Sequence, residues 1–335
     1  MAAARIKDVD YLGVSARVRA MENDLVTRER MEQLLEARTN EDAAKLLQEW
    51  GYPELDASHP EQMDAALAAA REATLSDLAT SVPDPRYLDI FRIKYDYHNV
   101  KAVLKAQAMD TDPTSMLMDG GRVPKEELMA AVKEGNMDFL PSCLADGAAA
   151  AKEVLDTTRD PQLCDIILDR WCYHDMNLVA QETESAFLLG YVKAQIDGAN
   201  LRSLVRALRM GKNADFLETI LFEGGDVDEA SILKVAAAGG AGLADLYSPT
   251  LLVDAAEIGG TALQGGPLTD FERACDDALT EYLSGAQLKP FGEEPVLGFL
   301  AAKEMEYTNL RILLLGRGAD LQADVIRARL RASYG

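Results

Sequence analysis

The chain has 335 residues, 48% of them hydrophobic and 6% aromatic, which provides a sizeable core and excludes a disordered chain. Its 56 acidic residues outnumber 34 basic ones for a net charge of −22. Direct binding to nucleic acid or anionic lipid is therefore disfavoured, leaving solubility or a basic protein partner as what the charge serves. No apolar run approaches the roughly 18 residues needed to span a bilayer.

The opening MAAARIKDVDYLG lacks the apolar stretch of a secretory signal, and Cys143, Cys164, Cys172 and Cys275 form no C-x-x-C pair. A cytoplasmic protein with reduced core thiols is expected. The first helix start is NDLVTRERMEQLLEA at 23–37, with Thr27 at its head. A second helix follows at 63–78, entered through Ser58 and Glu61 at capping-box spacing, a pattern in which two side chains satisfy orphan backbone donors. The third is FRIKYDYHNVKAVLKA at 91–106.

The same three landmarks then return in order. LMDGGRVPKEELMAAV at 117–132 and LFEGGDVDEASILKVA at 221–236 each carry a glycine pair, a valine two residues on, and a helix entry at Pro124 or Asp228. Helices at 164–179 and 271–286 align with 63–78 through Asp64, Asp165 and Glu272, their entries marked by Asp160–Pro161 and by Thr269 with Glu272. The third landmark recurs as YVKAQIDGANLRSLVRA at 191–207 and AAKEMEYTNLRILLLG at 301–316. It is an acid, two residues, Asn, an aliphatic, then a base: Asp96/Asn99/Lys101, Asp197/Asn200/Arg202 and Glu306/Asn309/Arg311. The three landmarks keep step at about one hundred residues, which defines repeats of about 8–112, 113–218 and 219–335 within one domain.

On a helix each Asn falls inside the apolar stripe, between Tyr95, Ile196 or Met305 four residues before and Val103, Leu204 or Leu313 four after. A buried amide left unpaired costs roughly 1–3 kcal/mol, so each Asn is expected to tie its helix to a broken neighbour's backbone, with the acid beside it sharing the task. The nine residues read as one structural device used three times, because a binding site would normally break the symmetry. No segment alternates as a strand does. The fold expected is all-α, three pseudo-equivalent helical repeats. Two arrangements satisfy the periodicity, closure around a pseudo-threefold axis or an open stack.

Catalytic signals are missing. There is no Walker A sequence, and Gly239-Gly240-Ala241-Gly242 and Gly259-Gly260 lack the following Lys. His59, His98 and His174 are not at metal-ligand spacing, and no GxSxG elbow occurs. The pair Asp276–Asp277 reads as a solvated face. No enzyme activity, cofactor, metal or small-molecule substrate is expected. The C-terminal stretch is locally basic, and Arg317, Arg327, Arg329 and Arg331 are candidates for docking an acidic protein partner. The plainer reading is an amphipathic helix whose arginines face solvent and the chain's own acids.

The segments SARVRAMENDLVTRERMEQLLEA, FRIKYDYHNVKAVLKA, LFEGGDVDEASILKVA and EMEYTNLRILLLGRG together resemble the C subunit of V-type and A-type ATP synthases, a family similar to the d subunit of the vacuolar ATPase. The resemblance covers essentially the whole chain. It implies a funnel of three helical repeats on the cytoplasmic face of the membrane proteolipid ring. Such a protein receives the shaft made of the D and F subunits, carries torque for ATP-linked ion transport, and has no catalytic residues. A stand-alone helical repeat scaffold for protein ligands is the alternative, and a helical enzyme the third reading.

Overall fold

The computed structural model describes residues 6–53 and 60–333. Every regular element among them is helical. In chain order these are α1 (Leu12–Met21), α2 (Arg28–Glu36), α3 (Asn40–Glu49), α4 (Pro60–Ala79), α5 (Arg86–Ala108) and α6 (Lys125–Glu134). There follow α7 (Ser142–Thr158), α8 (Pro161–Glu182), α9 (Ala186–Arg209), α10 (Ala214–Glu218) and α11 (Glu229–Ala237). The last are α12 (Leu243–Tyr247), α13 (Val253–Leu263), α14 (Leu268–Ser284), α15 (Glu293–Gly318) and α16 (Ala323–Arg327).

Side-chain caps start three of these helices where the sequence places them. Thr27 accepts from the Arg30 amide at 3.3 Å, Asp228 from Ser231 at 2.9 Å, and Asp160 from Gln162 at 2.8 Å with Pro161 opening the helix. Each satisfies an amide that the first turn leaves without a helical partner. One expectation fails. α14 begins at Leu268 behind Pro267, with no side-chain cap; Thr269 lies inside the first turn, too late to cap it. The Ser58–Glu61 box lies outside the described residues.

The chain divides into two compact units, Met1–Pro85 with Gly266–Gly335, and Arg86–Gly265. In the first, α15 is central and packs against α1, α2, α3, α4, α14 and α16. Leu310 and Leu313 of α15 are fully buried with Leu34 of α2 and Leu47 of α3. Removing each such side chain from water contributes about 1.5–3 kcal/mol. In the second unit α5 packs against α6, α7 and α8, and α9 against α8, α10, α11 and α13. The signature helices α5, α9 and α15 each contribute a broad buried face to the core.

Candidate functional site

The three asparagines form the same two-bond clasp. Asn99 donates to the Met118 carbonyl at 2.9 Å and accepts from the Met118 amide at 2.8 Å. Asn200 does so with Phe222 at 2.8 and 2.9 Å, and Asn309 with Arg331 at 3.2 and 2.8 Å. Each amide side chain thus replaces one strand of backbone for a non-helical peptide. That satisfies both partners in a place water does not reach, since the three Asn are at most 3% exposed.

The acid one turn earlier holds the next helix start. Asp96 Oδ1 accepts from the Val123 amide at 3.2 Å. Asp197 takes the Asp226 and Val227 amides at 3.0 and 3.1 Å. Glu306 accepts from the Val26 amide at 2.5 Å, from Lys303 Nζ at 2.6 Å and from the Tyr52 hydroxyl. Val26, Val123 and Val227 hold the same place in the repeat.

The glycine pair has a physical reason. Gly120 and Gly224 adopt φ of 96° and 101°, a region that favours glycine. A Cβ on Gly121 would fall 2.3 Å from Asp96 Oδ1, and one on Gly225 would fall 2.1 Å from Asp197 Oδ1. In the first unit Asp24 stands where those glycines stand, and the acid is Glu306, one methylene longer. The longer side chain reaches Val26 from farther off, so a Cβ is tolerated. The segment itself is also cut: Met118 to Val123 and Phe222 to Val227 are continuous, whereas their counterpart joins Arg331 of the C-terminal tail to Val26.

Lys101 pairs with Asp169 at 2.5 Å, and Arg311 with Asp64 bidentately at 2.7 and 3.0 Å; Arg202 is half-buried on α9.

One cluster breaks the repeat. Arg122, at the position of Leu25 and Asp226, bonds Asp96 Oδ2 at 2.8 Å and both oxygens of Asp175 at 3.2 and 2.6 Å. The Tyr97 hydroxyl donates to Asp175 at 3.2 Å. Burial pushes the Asp96 carboxyl up and Arg122 pulls it back only in part. Burial also lowers the guanidinium, but its bonds to Asp175 and Asp96 leave it higher than usual. Sequence reasoning passed over Arg122, Asp175, Tyr52 and Lys303. The available signal was the lone base between a glycine pair and its valine.

Of the candidate docking arginines, three are engaged within the first unit. Arg317 donates to the carbonyls of Leu35, Ala37 and Thr39 at 2.9, 2.9 and 3.0 Å, closing the C-terminus of α2. Arg327 grips Glu32 bidentately, and Arg331 bonds Asp276 at 2.5 Å. Arg329 is exposed. Asp276 and Asp277 are not the solvated face expected: Asp277 accepts from the Ala332 amide at 2.8 Å, so the pair fastens the C-terminal tail.

Among the described residues no group of three or more His, Cys, Asp or Glu could hold a metal. His98 lies 3.1 Å from the Met116 carbonyl, and His59 falls outside the described residues. The cysteines are free thiols, with Cys143 half-buried and the others buried; burial pushes Cys172 up to about 12.

The signature residues are thus employed in fixing helices to one another, which is the chemistry of a helical frame protein. A family model described as ATP synthase (C/AC39) subunit matches residues 14–329. The C subunit of the V-type sodium ATPase of Enterococcus hirae is 24% identical over 329 residues, covering 97% of this chain and 99% of that protein. The C subunit of the A-type ATP synthase of Thermococcus kodakarensis is 25% identical, over 96% and 90%. The corresponding protein of Methanocaldococcus jannaschii is 24% identical, over 96% and 86%. The chain belongs to the ATP synthase (C/AC39) subunit family, and is an accessory, non-catalytic component of a rotary ATPase.

Proposed function

We propose that this protein joins the D–F shaft of its ATPase to the membrane proteolipid ring and carries torque between them, from the cytoplasmic side. The observation carrying this reading is that the family match runs from residue 14 to residue 329, so that the frame as a whole, and not one part of it, is what the relatives share. Two further features support it. No helix among the described residues is long and apolar enough to cross a membrane, as suits attachment through ring protein. A torque-bearing part needs joints that do not creep, and buried two-bond clasps with both partners satisfied supply them. The organisation proposed is three repeats, about 8–112, 113–218 and 219–335, with Arg329 the docking arginine left exposed.

Mixing the purified protein with a purified D–F pair and weighing the eluted species by size-exclusion light scattering tests this. A stoichiometric complex is expected, weaker at moderate than at low salt if charge holds the joint. Two separate peaks at micromolar concentration, with and without ring protein present, would favour the stand-alone scaffold.

A further inference from the structure

A cleft of about 630 Å³ opens on the second unit beside the middle of α8. Its wall is Trp171, half-buried and packed edge-to-face against His174 with ring centroids 5.6 Å apart. The seat of that indole is built: a Cβ on Gly147 of α7 would come within 2.9 Å of Trp171, so α7 has a glycine where the ring packs. The lining also includes Glu218, Glu223 and Glu229. Of the lining residues only Arg170 is a permanent cation, and its guanidinium faces the carbonyls of Glu218, Thr219 and Leu221 at 3.2, 3.0 and 3.4 Å.

The two rings of the wall, Trp171 and His174, do not recur in the other repeats. In the frame fixed by Asp64, Asp165 and Glu272, Trp171 stands opposite Ala70 and Ala278, and His174 opposite Ala73 and Glu281. The clasps recur three times; the indole wall occurs once, which is how a site differs from a scaffold element.

We propose that this cleft receives a lysine or arginine side chain from a basic segment of a protein partner, its cationic head lying between the Trp171 ring and the carboxylates of Glu223 and Glu229. An aromatic face attracts a cation through its quadrupole. A guanidinium also matches carboxylates bidentately, and acid rims speed encounter with basic partners. The cleft carries more acidic than basic side chains: burial and the neighbouring Glu223 and Glu218 push the Glu229 carboxyl up, against the pull of Arg170. An incoming cation relieves that repulsion, whereas an acidic or neutral segment leaves it in place. The inference does not depend on which components of the ATPase the protein joins.

The chain has two tryptophans, so Trp50→Phe leaves Trp171 as the only indole reporter. The probe is an acetylated, amidated Gly-Arg-Gly-Arg-Gly peptide, with citrulline replacing arginine in the control. A saturable change in Trp171 emission is expected with arginine and none with citrulline. Glu223→Gln with Glu229→Gln should weaken binding about tenfold, a loss typical of a cation–aromatic–carboxylate contact. Glu126→Gln with Glu127→Gln removes the same charge from the exposed face of α6 and should weaken it less than about twofold. An indole signal indifferent to the arginine peptide, or equal losses in the two double variants, would overturn the proposal. Should Trp50→Phe disturb folding, the Trp171 indole N–H resonance of the unaltered protein reads the same titration.

Discussion

The carboxylate of Glu306 accepts a hydrogen bond from the backbone amide of Val26, 280 residues earlier in the chain. The same carboxylate takes the Tyr52 hydroxyl and Lys303, so replacing Glu306 with Leu strands two buried donors and the half-buried Lys303 ammonium. The expected loss is about 3–5 kcal/mol, as for a broken buried charge pair, read as a lower urea midpoint.

The reach argument has its own test. Glu306→Asp should cost about 1–3 kcal/mol by pulling the carboxylate off Val26. Asp24→Gly, which restores the glycine found at positions 121 and 225, should recover part of that loss. A double-mutant cycle with no favourable coupling would show that side-chain length and glycine are unrelated here.

Asn200→Leu should destabilise the fold by about 2–4 kcal/mol, because the Phe222 N–H and C=O each lose a partner. An unchanged melting temperature together with lost shaft binding would make Asn200 a contact residue and refute its place in the frame.

Asp197 gives a pH signature. Its carboxyl is pushed up by burial, more than the Val227 and Asp226 amides pull it down. A raised folded value means that the folded state holds its proton longer than the unfolded chain. This stabilisation is complete below the unfolded value and disappears as pH rises through the folded one. Over that interval above 3.8, it changes by at most about 1.4 kcal/mol per pH unit. Asp197→Asn should flatten that part of the profile of melting temperature against pH; an unaltered profile would assign the slope to other groups.

Two glycines should respond with opposite sign. Gly225→Ala drives a Cβ into Asp197 Oδ1 and is expected to lose about 1–3 kcal/mol. Gly260→Ala, in α13 with nothing within 4 Å, should gain about 0.5–1 kcal/mol from helix propensity. Calorimetry on the two variants reads both signs.

The helices and their repeat could be read from the sequence because apolar spacing and the acid-x-x-Asn-x-base pattern are local. That each Asn inside an apolar stripe must find a backbone partner followed from the cost of an unpaired amide; which peptide it finds did not. Arg331 as the partner of Asn309 depends on how the C-terminal tail lies, and no spacing encodes that. The Arg122 cluster escaped for a related reason: a single Arg beside glycines reads as a loop charge until two buried carboxylates converge on it. The reading of Asp276–Asp277 as solvated failed because exposure of a helix face depends on what crosses it.

The first unit is assembled from the two ends of the chain, and this dictates an order of events during synthesis. Met31, Leu34, Leu35 and Leu47 leave the ribosome early, but the α15 side chains that cover them come some 260–280 residues later. At about 5–20 residues per second that is roughly 13–55 s of waiting with an apolar face uncovered. Residues 86–265 can meanwhile complete their own core. Nascent chains stalled before α15 are therefore the species most in need of a chaperone, and a truncation that spares the whole second unit still leaves the newest protein's oldest helices without a partner.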